Sequence, residues 1–268
     1  MWMFKASSAA QAWIPVVAMS LVCSGILAAI AINRIYDHPV RCSHRSLPLI
    51  TDVTENDAER IVALSTALLA MPFNTAFAVG AWAVWRKLDG EAAGGRCIGR
   101  AGPCACALAG WILVALFALN DRGLDPHYLL HFALFGSWGL CDLTFLACSL
   151  WSLERAMTSS SFPKHVLVLH SGVLELRRAV SAAKVLALTA FVSISITSSM
   201  TRNCEEARRL MLYGAVAEYA LLLCGMVQYL QHAYEFRLLH TSGIWASAAR
   251  DDQDGLASIR VVCLCLRV

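Results

Sequence analysis

Six stretches of the chain run almost without charge: 10–32, 61–85, 104–119, 128–151, 179–200 and 210–233. A helix needs about 20 apolar residues to cross roughly 30 Å of hydrocarbon. Five of the stretches reach that length, and the third can borrow flanking residues from Gly102 and Asn120. Buried helices of a large soluble protein are the competing source of such runs, but these average only about 10–14 residues. The pattern predicts an all-α, polytopic membrane protein: a six-transmembrane-helix bundle over residues 1–240 and a flexible tail over 241–268.

Composition explains how the pattern arises. The chain is 58% apolar and 15% charged, with a mean hydropathy of +0.57. Soluble domains carry about 25% charged residues. Within the six stretches only Asp142, Lys184 and Glu218 are charged, so nearly all ionisable residues lie in the connections and the tail. Such hydrophobicity excludes a disordered chain. A net charge of +3 is too small to argue for nucleic acid.

Lys and Arg in the connections set the expected orientation. With the N-terminus inside, the cytosolic pieces hold 13 of these residues and the outer pieces 8, which favours cytosolic N- and C-termini. The largest outer loop, 33–60, carries five acids, among them Asp52. The piece 86–103 is rich in glycine and is expected to be a flexible connection. The apolar stretch His165–Leu176, interrupted by Gly172, fits either a surface-lying segment or a lead-in to the fifth span.

Of the eleven cysteines, Cys42 and Cys204 alone fall in outer loops. In an oxidising lumen these two thiols have one another as partners, so a Cys42–Cys204 disulfide is expected, with two independent thiols as the alternative. No Cys/His set has zinc-site spacing. Cys265 lies four from the end, but Arg267 occupies the position where prenylation wants an aliphatic residue; an unmodified tail is expected, with palmitoylation of Cys263 or Cys265 as the alternative.

Charges inside spans are where function should show, because burying a charge in lipid is expensive. Lys184 stands five residues into the fifth stretch, within reach of the inner surface by its long stem, and receives no role. Asp142 and Glu218 lie deeper. Pairing with each other, protonation, or hydrogen bonds to Ser193, Ser195 or Ser198 would each accommodate them. At 100° per residue, His127, His131, Trp138 and Asp142 share one stripe of the fourth span. A proton path, a lipid-headgroup site or a polar packing seam would all use such a line. No GxSxG elbow, HExxH pair or phosphate-cradling glycine loop occurs. No cofactor or metal is therefore expected, and the partner class the spans imply is membrane lipid.

Several short motifs, in order, resemble the superfamily that joins damage-regulated autophagy modulators (DRAM) with the post-GPI-attachment to proteins factor 2 proteins. They are Trp13-Ile14-Pro15; Leu47-Pro48-Leu49-Ile50-Thr51-Asp52 after Cys42; His127, eight residues before Phe135-Gly136; and Ala217-Glu218-Tyr219. Asn203-Cys204-Glu205 and the Cys42/Cys204 pair resemble the GPI-remodelling branch, whereas the Ile-Thr-Asp motif and His127 are closer to the autophagy branch. The glycine that follows the Asp52 position in the autophagy branch is absent here, where the chain reads Val53-Thr54-Glu55. The resemblance implies six spans with cytosolic ends. It also implies a Golgi or ER protein that acts on, or assists, lipid remodelling of GPI-anchored proteins. The partners would be GPI lipid or GPI-anchored proteins. The alternative is a non-enzymatic regulator of autophagic or lysosomal membranes. On the first reading His127 is the acid/base near the headgroup, Glu218 its deeper partner, and Asp52 orients the loop over the site or caps a turn in it. A small transporter using Asp142 and Glu218 is a weaker reading, since neither broken helices nor an inverted repeat is evident.

Overall fold

The computed structural model describes residues 12–37, 47, 49–54, 56–89, 93–119, 125–158, 164–201 and 203–241. Among these the fold is all-helical, with helices α1 (Ile14–Ile35), α2 (Ile50–Val53), α3 (Asp57–Asp89), α4 (Ala93–Ala118), α5 (Asp125–Thr158), α6 (Lys164–Met200) and α7 (Cys204–Thr241). Six contain windows long and apolar enough to cross a membrane: Ile14–Ile35, Asp57–Ala83, Arg100–Ala118, Ala133–Arg155, Gly172–Ser198 and Glu205–Arg237. No more than 39% of any such window is buried inside the bundle. The outward faces are apolar, with Leu27, Leu69, Leu140, Leu186 and Leu223 each more than 60% exposed. A water-soluble helix would carry polar residues there; these faces suit lipid. The chain is an integral membrane protein.

Local sequence sets the helix ends. α1 has Pro15 in its first turn, where the missing N–H is not needed. It stops at Tyr36, whose N–H donates to Ile32 O, and Asp37 then turns the chain with φ 47°. At the head of α7, the Asn203 side chain accepts the Glu205 N–H at 3.0 Å, an N-cap reinforced by Glu205 and Glu206 in the first turn.

The spans are longer than hydropathy alone implies. α7 has 38 residues, about 57 Å at 1.5 Å per residue, so its ends stand clear of the hydrocarbon. Two expectations change. The glycine-rich piece 86–103 is mostly helix, since α3 runs to Asp89 and α4 begins at Ala93. The stretch His165–Leu176 leads into the fifth span, because the helix α6 is unbroken from Lys164 to Met200. Lys184 is 2% exposed and turned into the bundle, bonded to Asp142 and Gln228, rather than reaching for an interface.

The six long helices close into a ring in the order α1, α3, α4, α5, α6, α7, with α7 packing back on α1. We call the end where α1 begins the lower end and the other the upper. Small residues permit the closest approaches. A Cβ on Gly25 of α1 would fall 1.7 Å from Thr66 Oγ1 of α3, and one on Gly102 of α4 would fall 2.4 Å from the Trp85 ring. In the lower half Phe77, Trp85, Phe145 and Phe236 fill the ring axis. In the upper half α2 closes the bundle, with Leu49 and Ile50 buried against α7, α1 and α3.

Candidate functional site

Polar residues occur inside this ring at three levels. At the upper level, the first amide of α2 meets α7: Ile50 N–H donates to Glu218 Oε2 at 2.6 Å. Thr54 Oγ1 donates to Ile50 O and Asn56 Nδ2 to Val53 O, so the single turn is tied at both ends. Beside it, Glu59 is fully buried and accepts from Asn33 Nδ2 at 3.3 Å, joining α3 to α1. Residues 49–54 thus form a plug over the bundle, latched by the Glu218 carboxylate.

Below the plug lies a cavity of about 160 Å³. Most of its walls are apolar, including Val22, Ile26, Leu113, Phe117 and Leu222. His131, Asp142, Lys184 and Glu218 reach it from α5, α6 and α7, and Asn74 and Tyr229 border its lower edge. Lys184 Nζ donates to Asp142 Oδ2 and to Gln228 Oε1, each at 2.5 Å, linking α5, α6 and α7 at mid-depth. Lys184 is 2% exposed. An isolated charge at that depth costs about 3 kcal/mol on insertion scales, and the pair with Asp142 offsets this for both partners. At the edge, Tyr229 Oη donates to Asn74 Oδ1 at 2.8 Å and Asn74 Nδ2 to Cys106 O at 3.2 Å, so these groups satisfy one another. His131 Nδ1 differs. It is buried and has no hydrogen-bond partner among the described residues.

The lower level contains no cavity-lining charge. Arg177 of α6 donates to Glu235 of α7, with its Nη2 3.3 Å from His232 Nδ1 and its Nη1 donating to Ser149 O at 3.4 Å. His232 Nδ1 also lies 3.3 Å from Glu235 Oε2. Phe77 and Phe145 lie against the imidazole, each with ring centroids 5.2 Å from it.

The structure joins some of the residues singled out from the sequence and separates others. The stripe on the fourth span is brought to one place, for His131, Trp138 and Asp142 all line the cavity. Asp142 and Glu218 do not pair: the first meets Lys184, the second the Ile50 amide. Lys184, left without a role in the sequence, is the central donor of the site. His127 and Asp52 belong to α5 and α2 by backbone, but their side chains lie outside the described residues, as does the Cys204 side chain at the head of α7. Cys42 and the tail 242–268 also lie outside them, so the expected disulfide is one of these cases. The Arg177–Glu235–His232 cluster was missed altogether. Its signal was opposite charge on consecutive helices, with His232 and Glu235 three apart on one face. Comparison of the chain with models of known protein families finds no match, and comparisons with curated proteins and with solved structures find none either.

Proposed function

We propose that this protein handles lipid within the membranes of the secretory pathway, acting on or assisting the lipid remodelling of GPI-anchored proteins. The observation that carries the reading is the cavity: an apolar-walled space inside a ring of membrane-length helices, with polar groups at defined points on its wall. Such a lining suits an amphipathic ligand better than a water-soluble one. The motif resemblance supplies the GPI lipid, the Golgi or ER location and cytosolic termini. The excess of Lys and Arg on the pieces assigned to the cytosol supports the same orientation. In this orientation the plug of residues 49–54 and Glu218 belong to the luminal half, the leaflet that carries GPI lipids.

Glu218 enters the reading in an altered role. With Ile50 N–H on its carboxylate, it holds the plug that closes the upper end of the cavity. His131 lines the cavity, and its buried Nδ1 has no hydrogen-bond partner among the described residues. A second reading has its own support. Because Asp142 and Glu218 both already have partners, the polar residues would also serve a non-enzymatic, DRAM-like regulator of autophagic or lysosomal membranes.

The test is a knockout scored for the lipid composition and surface retention of GPI-anchored proteins, with rescue by the wild-type chain. Altered GPI lipids restored by rescue support the first reading. Normal GPI lipids in the knockout end it, and a tagged copy residing in lysosomes would then favour the second.

A further inference from the structure

We propose that the cavity takes an uncharged lipid bearing a free hydroxyl, of the diacylglycerol type, with that hydroxyl on His131 Nδ1. The proposal rests on the lipid-handling reading above and concerns the neutral lipid that enters the cavity, with the phosphate of any GPI lipid remaining outside it. Charge matching inside the cavity is the first argument. Lys184 already faces Asp142 at 2.5 Å, and the Glu218 carboxylate already holds the Ile50 amide at 2.6 Å. A fatty-acid carboxylate or a phosphate would enter beside two carboxylates, with Lys184, the cation that lines the cavity, already paired to Asp142. A sphingoid amine would have to compete with Lys184 for Asp142 or break the latch at Glu218. Either head leaves a charge without a partner in a low-dielectric space, which is strongly unfavourable. An uncharged head meets no such penalty.

The second argument is hydrogen-bond matching. Asn74, Tyr229 and Cys106 are satisfied among themselves. His131 Nδ1 is the buried ring atom on the wall without a partner among the described residues. A hydroxyl suits it in either tautomer, donating to a bare nitrogen or accepting from N–H. An ester carbonyl alone would serve only one of the two.

Size and access form the third argument. A dry cavity of about 150 Å³ is known to take up a benzene-sized solute, so about 160 Å³ admits a glycerol-sized head with the first carbons of a chain. The rest of the lipid must leave the bundle sideways. The α5–α6 seam offers the exit: it is spanned by the Asp142–Lys184 pair, whose aspartate side chain is 16% exposed against 2% for the lysine. Leu140 and Leu186, on the same two helices, are lipid-facing at 68% and 70% exposure.

The experiment uses the purified full chain in lipid nanodiscs and a diacylglycerol probe carrying a photoreactive diazirine on one acyl chain. Labelling is competed with dioleoylglycerol, oleic acid or sphingosine. Dioleoylglycerol is expected to reduce labelling about tenfold at an excess where oleic acid and sphingosine reduce it less than about twofold. Leu113→Trp, which fills the cavity while keeping every ionisable group, should lose labelling to a similar extent. Leu27→Trp, on the lipid-facing side of α1 at 62% exposure, should label as the wild type does. Equal competition by oleic acid or sphingosine, or wild-type labelling of Leu113→Trp, overturns the proposal. Should Leu113→Trp not fold, the order of the three competitors on the wild type decides alone. Loss of labelling alongside altered GPI lipids in the knockout would remove this ligand and leave the remodelling function. Labelling that persists with normal GPI lipids would keep the neutral-lipid site and remove the GPI function.

Discussion

The lower level of the bundle and the cavity above it each bury one charged pair, and they surround it differently. Around Arg177 and Glu235 the space is filled. Phe77 and Phe145 cover His232, Trp85 stacks on Phe145 at 5.3 Å, and Arg177 is 1% exposed. Around Lys184 and Asp142 the pairing is as close, but one side opens on about 160 Å³ of empty space. Packing therefore separates two uses of the same chemistry. A pair sealed in aromatic rings can only join α6 to α7, whereas a pair bordering a cavity can also meet a ligand. The difference also says which charges a membrane protein tolerates for stability and which it keeps for a site.

Removing one cation at a time gives the largest expected effect. Arg177→Met leaves Glu235 without its guanidinium in a filled core, and breaking a buried pair in this way costs about 3–5 kcal/mol. Lys184→Met leaves Asp142 partly exposed at the cavity wall, where it can take up a proton and become a neutral acid. The expected cost is about 1–3 kcal/mol, that of an unsatisfied buried group. The thermal midpoint of each purified variant in detergent measures the gap. Arg177→Met combined with Glu235→Leu should recover most of the loss, because an apolar pair of similar volume is often neutral. Equal losses for the two single variants would mean that the cavity gives Asp142 no relief, and the distinction drawn above would fall.

A matched pair of glycines on α4 probes the same contrast without charge. A Cβ on Gly102 would come 2.4 Å from Trp85 Cζ3 and 2.8 Å from Cys148 Cβ, in the filled lower half. A Cβ on Gly110 would come equally near, 2.4 Å from Asn74 Nδ2, but Asn74 and Met71 both border the cavity and have room to withdraw. Gly102→Ala should cost about 1–3 kcal/mol as overpacking, and Gly110→Ala about 1 kcal/mol, the worth of the Asn74–Cys106 hydrogen bond given up as Asn74 shifts into the cavity. Thermal midpoints again decide. If Gly110→Ala is the more harmful, the cavity wall is rigid and the contrast is misplaced.

Much of this was legible in the sequence. The spans could be read because apolar length is a one-dimensional property, and the His131–Trp138–Asp142 stripe because 100° per residue converts spacing into a face. Lys184 was misjudged for a definite reason. Arg177 and Arg178 resembled the polar edge of a membrane, so the fifth span was begun after them and Lys184 fell within snorkelling distance of a surface. In the folded chain Arg177 is inside, balanced by Glu235, so its charge does not mark the edge of a span. A hydropathy window reads a buried ion pair as two polar residues, since the partner that neutralises it lies 58 residues away. The Glu218–Ile50 contact was hidden similarly, because a backbone N–H donor leaves no trace in residue identity.

That contact yields the smallest expected effect and the most local one. Glu218→Gln keeps the size and the acceptor oxygen but removes the charge. A hydrogen bond to a charged group contributes about 1.5–3 kcal/mol and one between neutral groups about 0.5–1.5 kcal/mol, so the substitution should weaken the latch by about 1 kcal/mol. This corresponds to about a fivefold rise in plug opening. The readout is amide hydrogen exchange at Val53 and Thr54, whose N–H groups bond to Leu49 O and Ile50 O within the plug. Their exchange should quicken by about that factor, while the lower half, with Arg177, Glu235 and the aromatic seal untouched, keeps its protection. A rise confined to the plug means the cavity half can open while the lower half stays shut, as a site with a lid requires. A rise spread through α6 and α7 would instead make Glu218 part of the framework, and the upper and lower halves would be one cooperative unit.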